Sequence, residues 1–221
     1  GFRDFLDGVT REETQGADGK TTTTYHIEKG SKCYFYDLYT QNRVLKQKQF
    51  PTRFIYVGRY VENKGIKDMW QAFTELQMES PNEWELWCLG TGDVVREEHP
   101  KIKHFGFVQP NELKRYIRDA GVFVLPSHFE PWGVVVHEYA AAGFPLICSD
   151  EVGAAEKFLD DGINGYSFRS GNVAELKDAM KKIIKHSQQE LLDMGERSVE
   201  LAQTLTPEKW AGILMKIINC K

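Results

Sequence analysis

GVFVLPSHFEPWGVVVHEYAAAGFPLICSD, residues 121–150, holds a complete strand, helix, strand unit. Gly121 to Ser127 is a continuous apolar run, as expected of a strand covered on both faces rather than one. Gly133 to Gly143 reads as a helix closed by glycine, and Phe144 to Asp150 as the next apolar strand. Two strands without a polar face, separated by a helix, imply parallel pairing through a crossover.

The same alternation extends outward from this unit. Upstream, strands are predicted at Arg53 to Gly58, Trp84 to Gly90 and Ile102 to Phe107. Between them lie an amphipathic helix at Gly65 to Leu76, with Ile66, Met69, Trp70 and Phe73 on one face, and a short helix from Pro110 with Leu113, Tyr116 and Ile117 inward. Downstream come a short helix at Ala154 to Leu159, a strand at Gly165 to Phe168, and helices near Val173 to Lys185, Gln188 to Gln203 and Pro207 to Ile218. The fold class is therefore α/β: a Rossmann-like parallel sheet flanked by helices on both faces, over residues 50–221. Residues 1–49 differ. They are small and polar, with brief alternation at Cys33 to Tyr39 and a two-residue turn signal at Asp18-Gly19, and they read as a hairpin-like or linker segment.

Composition agrees with a folded chain of one domain or one and a half. Of 221 residues 41% are hydrophobic and 27% charged, which excludes collagen-like and disordered classes. With 28 Lys and Arg against 32 Asp and Glu, the net charge of -4 gives no basic field, so nucleic acid is not an expected partner. Cys33, Cys88, Cys148 and Cys220 form no CxxC pair, so neither a metal site nor a redox dithiol is supported. Cys88 and Cys148 lie in apolar strands, where a thiol is a small hydrophobe, and this fits a reducing cytoplasm.

Ligands of such sheets bind beyond the carboxyl ends of the strands. After the first come Gly58, Arg59, Asn63, Lys64 and Gly65: a tight turn, a planar cation, a point charge and a helix start that together suit phosphate, although a lysine there is also an ordinary surface residue. After the second comes Gly90-Thr91-Gly92-Asp93, without GxGxxG spacing, and no GxxxxGK[ST] occurs anywhere. Gly106, Phe107 and Val108 follow the third, where glycine lets a flat ring approach the backbone. In the quoted stretch, Gly133 and the amides of Val134 and Val135 make an anion site at a helix N-terminus, flanked by Glu130 and Glu138. Eight helical residues span about 12 Å, beyond the roughly 5 to 9.5 Å of paired glycosidase carboxylates. A loop at Glu130 can bend closer, which leaves that reading disfavoured but open. Carboxylates accepting ribose or sugar hydroxyls are the better use, beside the plain alternative of a satisfied helix glutamate at Glu138. His128 and His137 lack a nucleophile elbow or HExxH partner and read as surface or supporting groups. Lys177, Lys181, Lys182 and Lys185 read as a solvated helix face.

In order along the chain, FIYVGRYVENKG, LGTGD, HFGFVQPNEL, PSHFEPWGVVVHEYAAAGFP and EVGAAEKFLDDGINGYSF resemble the C-terminal donor-binding domain of GT-B fold retaining glycosyltransferases, the group 1 or family 4 enzymes, from about Arg53 to Ile184. The resemblance implies transfer of a hexose from a nucleotide-diphosphate sugar, UDP- or GDP-linked, with retained anomeric configuration and no cofactor or metal. It assigns the catalytic roles to Arg59, Lys64 and Glu130. The donor would be held by Gly58, Arg59, Lys64, Gly90, Gly106, Phe107, Val108, Glu130, Gly133, Val134, Val135 and Glu138, with Arg59 and Lys64 on the diphosphate and Glu138 on the ribose. Trp132, Tyr139 and Ala140 depart from the family's usual residues without removing a ligand.

The family places its acceptor site on a separate N-terminal Rossmann domain, for which residues 1–49 are too short and too polar. This implies a donor half that binds nucleotide sugar weakly and is inactive alone, its glycan or lipid-linked acceptor being bound by the missing half. By the same resemblance it would work in the cytoplasm, at the inner face of the membrane, with at most peripheral contact, in polysaccharide assembly. The competing readings are a non-catalytic nucleotide-sugar binding module and an epimerase or phosphorylase on a related GT-B fold.

Overall fold

The structure, a computed structural model, describes residues 9–15, 21–27 and 34–205. The chain divides into two compact units, the larger spanning Phe35–Thr206. In the smaller unit, β1 (Val9–Gln15) and β2 (Thr21–Ile27) pair antiparallel in a register running from Val9 opposite Ile27 to Gln15 opposite Thr21. The turn signal at Asp18-Gly19, Cys33, Cys220 and the helix expected from Pro207 lie outside the described residues.

The larger unit opens with α1 (Tyr34–Lys48), which corrects the reading of Cys33 to Tyr39 as alternating hairpin sequence. Among its described side chains, Leu38, Asn42 and Lys46 are the buried positions, spaced four apart. Only one of the three is apolar, so the helical period is invisible to a hydrophobicity reading. The helix docks through polar groups: Gln188 accepts from the Phe50 amide and donates to the Gln47 carbonyl, and Arg43 pairs with Glu196.

Six strands follow in one parallel sheet: β3 (Arg53–Val57), β4 (Glu85–Leu89), β5 (Ile102–Gly106), β6 (Val122–Leu125), β7 (Leu146–Ser149) and β8 (Gly165–Phe168), in the spatial order β5-β4-β3-β6-β7-β8. Burial follows that order. VFVL of β6 and LICS of β7 are buried throughout, whereas IKHFG of the edge strand β5 alternates. Continuous apolar runs thus occupy the centre, where helices cover both faces. Cys88 and Cys148 are buried free thiols in β4 and β7, and burial pushes each up to about 12.

The covering helices are α2 (Ile66–Glu79), α3 (Leu113–Asp119), α4 (Val134–Ala141), α5 (Ala155–Phe158), α6 (Val173–Lys185) and α7 (Gln188–Ala202). Ile66, Met69, Trp70, Phe73 and Leu76 form the buried face of α2, as its periodicity requires. In α4, Tyr139 stacks on Phe123 of β6 with ring centroids 4.3 Å apart. Gly143, at φ 76°, closes that helix with the Phe144 amide donating to the Tyr139 carbonyl. Ser187 and Glu190 form a capping box on α7, and Asn172 caps α6. One expectation fails on α6: Lys177 is no solvated lysine but bridges to Glu75 and Glu79 of α2 at 2.9 and 2.5 Å.

Strand order reverses between β3 and β6. From β3 the chain moves outward through β4 to β5, then returns to β6 on the other side and proceeds to β7 and β8. Two loops leaving adjacent strands in opposite directions open a crevice at their carboxyl ends.

Candidate functional site

On the β3 side the crevice is built by backbone approach. The Gly58 amide donates to the Leu89 carbonyl at 3.0 Å and the Gly90 amide to the Gly106 carbonyl at 2.7 Å, so the three turns after β3, β4 and β5 stay laced together beyond the strands. A Cβ on Gly90 would lie 1.8 Å from the Gly58 carbonyl oxygen, and one on Gly92 2.1 Å from that of Tyr60. No side chain fits either place. Gly106 has φ 71° and nothing within 4 Å of an added Cβ, leaving its face open. Phe107 beside it is 68% exposed. Val108 packs against the core.

The buried Tyr56 hydroxyl donates to the Arg59 carbonyl at 2.8 Å, and burial raises its pKa far above the ordinary phenol range. It acts as a fixed donor that sets the Arg59 backbone. The Arg59 side chain is exposed and makes no ion pair among the described residues. A 3-10 turn, Glu62–Lys64, then leads to Gly65 at φ 61°. A Cβ on Gly65 would fall 1.9 Å from the Pro126 carbonyl oxygen, so the start of α2 lies directly against the end of β6.

The β6 side is held just as closely. The His128 amide donates to the Asn63 carbonyl at 2.9 Å, and His128 Nε2 lies 2.6 Å from Asp68 Oδ2 of α2. Beyond β7, the Glu130 amide donates to the Glu151 carbonyl and the Gly153 amide to the Glu130 carbonyl, both at 3.0 Å. Glu130 is thereby fixed from both sides of its peptide. Its carboxylate pairs with the Lys64 ammonium, and both side chains are only 18% exposed. Glu130 Cγ would also stand 3.0 Å from a Cβ on Gly133, the residue at φ 89° that begins α4. Glu130 therefore meets Lys64 through its carboxylate and the turn that begins α4 through its methylene carbon.

Of the residues singled out in the sequence, Glu130 lies against both Lys64 and Gly133, and Gly58, Gly90 and Gly106 are linked through the backbones of their turns. Along α4, Val134 is exposed, Val135 and Glu138 are half-buried and Val136 is buried, so Glu138 shares neither the solvent face nor the core. Arg59 stands nearby in solvent and has no hydrogen bond to the Lys64 pair. Sequence reading missed Asp68, Tyr56 and Gly153. Asp68 meets His128 across 60 residues, and no local spacing announces that. His137 is a supporting residue, stacked on Phe158 at 4.3 Å with Nε2 3.0 Å from the Ala202 carbonyl, and burial lowers its pKa.

These features define a Rossmann-like α/β domain whose polar groups and glycines gather at the strand-order reversal, around one cation, one carboxylate and one helix N-terminus. The chain belongs to the glycosyl transferases group 1 family, whose model matches residues 40–200. It is 32% identical over 143 residues to glycogen synthase of Mycobacterium tuberculosis, covering 61% of this chain and 34% of that protein. It is 26% identical over 178 residues to the Escherichia coli O-antigen chain mannosyltransferase B, covering 75% and 44%. The chain thus spans about a third to under a half of these curated relatives. Among solved structures, Anabaena HepE in complex with UDP and glucose aligns with a TM-score of 0.66 at 16% identity, covering 84% of this chain and 55% of that one. A C-terminal domain of a group 1 glycosyl transferase from Francisella tularensis aligns at 0.60 and 18%, covering 76% and 96%. The architecture is that of a GT-B half.

Proposed function

We propose that this chain is the donor-binding half of a retaining family 4 glycosyltransferase that takes a hexose from a UDP- or GDP-sugar. The observation that carries the reading is the meeting of Lys64, Glu130 and the Gly133 turn at the strand-order reversal. A diphosphate needs cations and amide donors held in advance, in a site partly shielded from water. Lys64, four-fifths buried, supplies a fixed charge, and exposed Arg59 a mobile planar one that closes on the second phosphate. The amides of Val134 and Val135 add the helix N-terminus.

Charge on the leaving diphosphate grows as the sugar departs, so Arg59 and Lys64 stabilise the transition state more than the bound donor, and no cofactor or metal is required. Glu130 accepts from hydroxyls of the donor sugar and Glu138 from those of the ribose. The open face of Gly106, with Phe107 and Val108, takes the base. Anabaena HepE, which shares this fold and was solved with UDP and glucose, is consistent with a nucleotide-sugar donor. The glycan or lipid-linked acceptor is bound by a second domain, and this chain alone binds donor without turnover. The setting is polysaccharide assembly at the cytoplasmic face of a membrane; no described helix is long and apolar enough to cross one.

Calorimetric titration with UDP, GDP and ADP tests the reading. Arg59→Ala and Glu138→Ala should each weaken the best nucleotide about 10- to 100-fold, the loss of a charge-assisted hydrogen bond. Absence of binding to all three, with both variants indistinguishable from the parent, would rule the donor site out.

A further inference from the structure

The lysine that the donor-site reading places on the diphosphate is paired with one of the chain's own carboxylates. Glu130 pairs with Lys64. Its side chain also lies over the start of α4, with Cγ 3.0 Å from the position a Cβ on Gly133 would take. A negative group is thus held at one feature that would bind a phosphate, the ammonium, and its methylene carbon lies against the turn that begins the helix. The contact is built in. The Glu130 peptide is fastened on either side by Glu151 and Gly153, Gly65 presses the Lys64 turn against Pro126, and Asn63 is tied to His128. The two backbones are therefore held side by side, and only the side chains need rotate for the pair to open.

We propose that Glu130 is an internal counter-ion that a diphosphate must displace from Lys64, so that the site discriminates between the sugar-bearing donor and the nucleoside diphosphate left after transfer. The inference rests on the donor-site reading above and adds a regulatory role to the same carboxylate. When a donor binds, the sugar hydroxyls give the displaced carboxylate new hydrogen-bond donors, and the exchange of partners is nearly balanced. With a nucleoside diphosphate alone there are no hydroxyls in that place. The carboxylate then stays partly desolvated and unpaired beside a more highly charged anion, a cost that favours its return to Lys64 and expulsion of the product. Discrimination comes from the unfavourable state as much as from the favourable one.

The test uses inorganic pyrophosphate and UDP as probes of the chain, its Glu130→Gln variant and its Lys64→Ala variant, by titration calorimetry at fixed ionic strength. Glutamine keeps the shape and removes the charge. Glu130→Gln should bind both probes about tenfold more tightly than the parent, and Lys64→Ala should bind both more weakly. Detectable binding in the variant where the parent shows none supports the inference equally. If the parent binds UDP in a manner weakened by Lys64→Ala, while Glu130→Gln leaves it unchanged or weaker, the counter-ion role is overturned and the donor site stands. If no form binds either probe, both fail together.

Discussion

Gly65→Ala is expected to damage this protein out of proportion to the single methyl group it adds. Two costs combine. The native φ of 61° is left-handed and costs a residue with a Cβ about 1 to 2 kcal/mol. The added Cβ would stand 1.9 Å from the Pro126 carbonyl oxygen, and contacts below 3.0 Å are essentially never tolerated, so the start of α2 and the end of β6 must part by about 1 Å. That oxygen is main chain in a fully buried strand end and has no rotamer in which to retreat. Overpacking of this kind costs a further 1 to 3 kcal/mol or so. The sum, about 2 to 5 kcal/mol, corresponds to roughly 4 to 20 °C in Tm for a unit of this size. Gly106→Ala is the matched control: its φ is 71° but nothing lies within 4 Å, so it carries the backbone cost alone. Urea unfolding of both variants, with m-values unchanged, isolates the close approach as the difference between them. Because Lys64 precedes Gly65, the same 1 Å displacement should weaken UDP binding by up to about 100-fold in the surviving folded protein. Equal destabilisation by the two substitutions would refute the claim that the two loops are held in contact at this glycine.

Lys46→Met should stabilise the protein by a few kcal/mol below pH 7. The ammonium is buried over the Phe144 ring at 3.6 Å without a hydrogen-bond partner, and burial lowers its pKa to about 7. The unfolded chain holds that proton up to about pH 10.4, so parental stability should rise between pH 7 and 10, and the variant should be flat there, as read by urea midpoints. His137 titrates in the opposite range: its lowered pKa means the unfolded state binds more protons below about pH 6.5, so its contribution is present above that pH and lost as pH falls. His137→Gln should reduce the slope of stability against pH between 5 and 6.5, and an unaltered slope would show that another group sets it.

The sheet was legible because its strands obey a one-dimensional rule. VFVL and LICS have no polar face, and only a parallel strand at the middle of a covered sheet has use for such a run. Helix α6 was equally readable, since Leu176, Ala179, Met180 and Ile183 mark its buried face at helical spacing. Helix α1 was not, because among its described side chains two of the three buried ones are Asn42 and Lys46, which a polarity pattern assigns to solvent. Lys177 misled for the converse reason: its partners Glu75 and Glu79 lie on another helix about a hundred residues away. At the site, the residue types and their place after strands were visible, as were the glycines. What no local pattern contains is the pairing itself. Lys64 with Glu130 and Asp68 with His128 each join segments 60 or more residues apart, brought together only because β3 and β6 are neighbours.

If an anion is received where β3 and β6 diverge, amide chemical shifts recorded during titration with UDP will map it there. The largest changes should fall on Gly58, Arg59, Lys64, Gly133, Val134 and Val135, with smaller ones at Gly106 to Val108. The amino ends of the same strands, at Arg53, Glu85 and Val122, should hardly move. Changes concentrated at those amino ends, or spread without preference for the reversal, would contradict that placement.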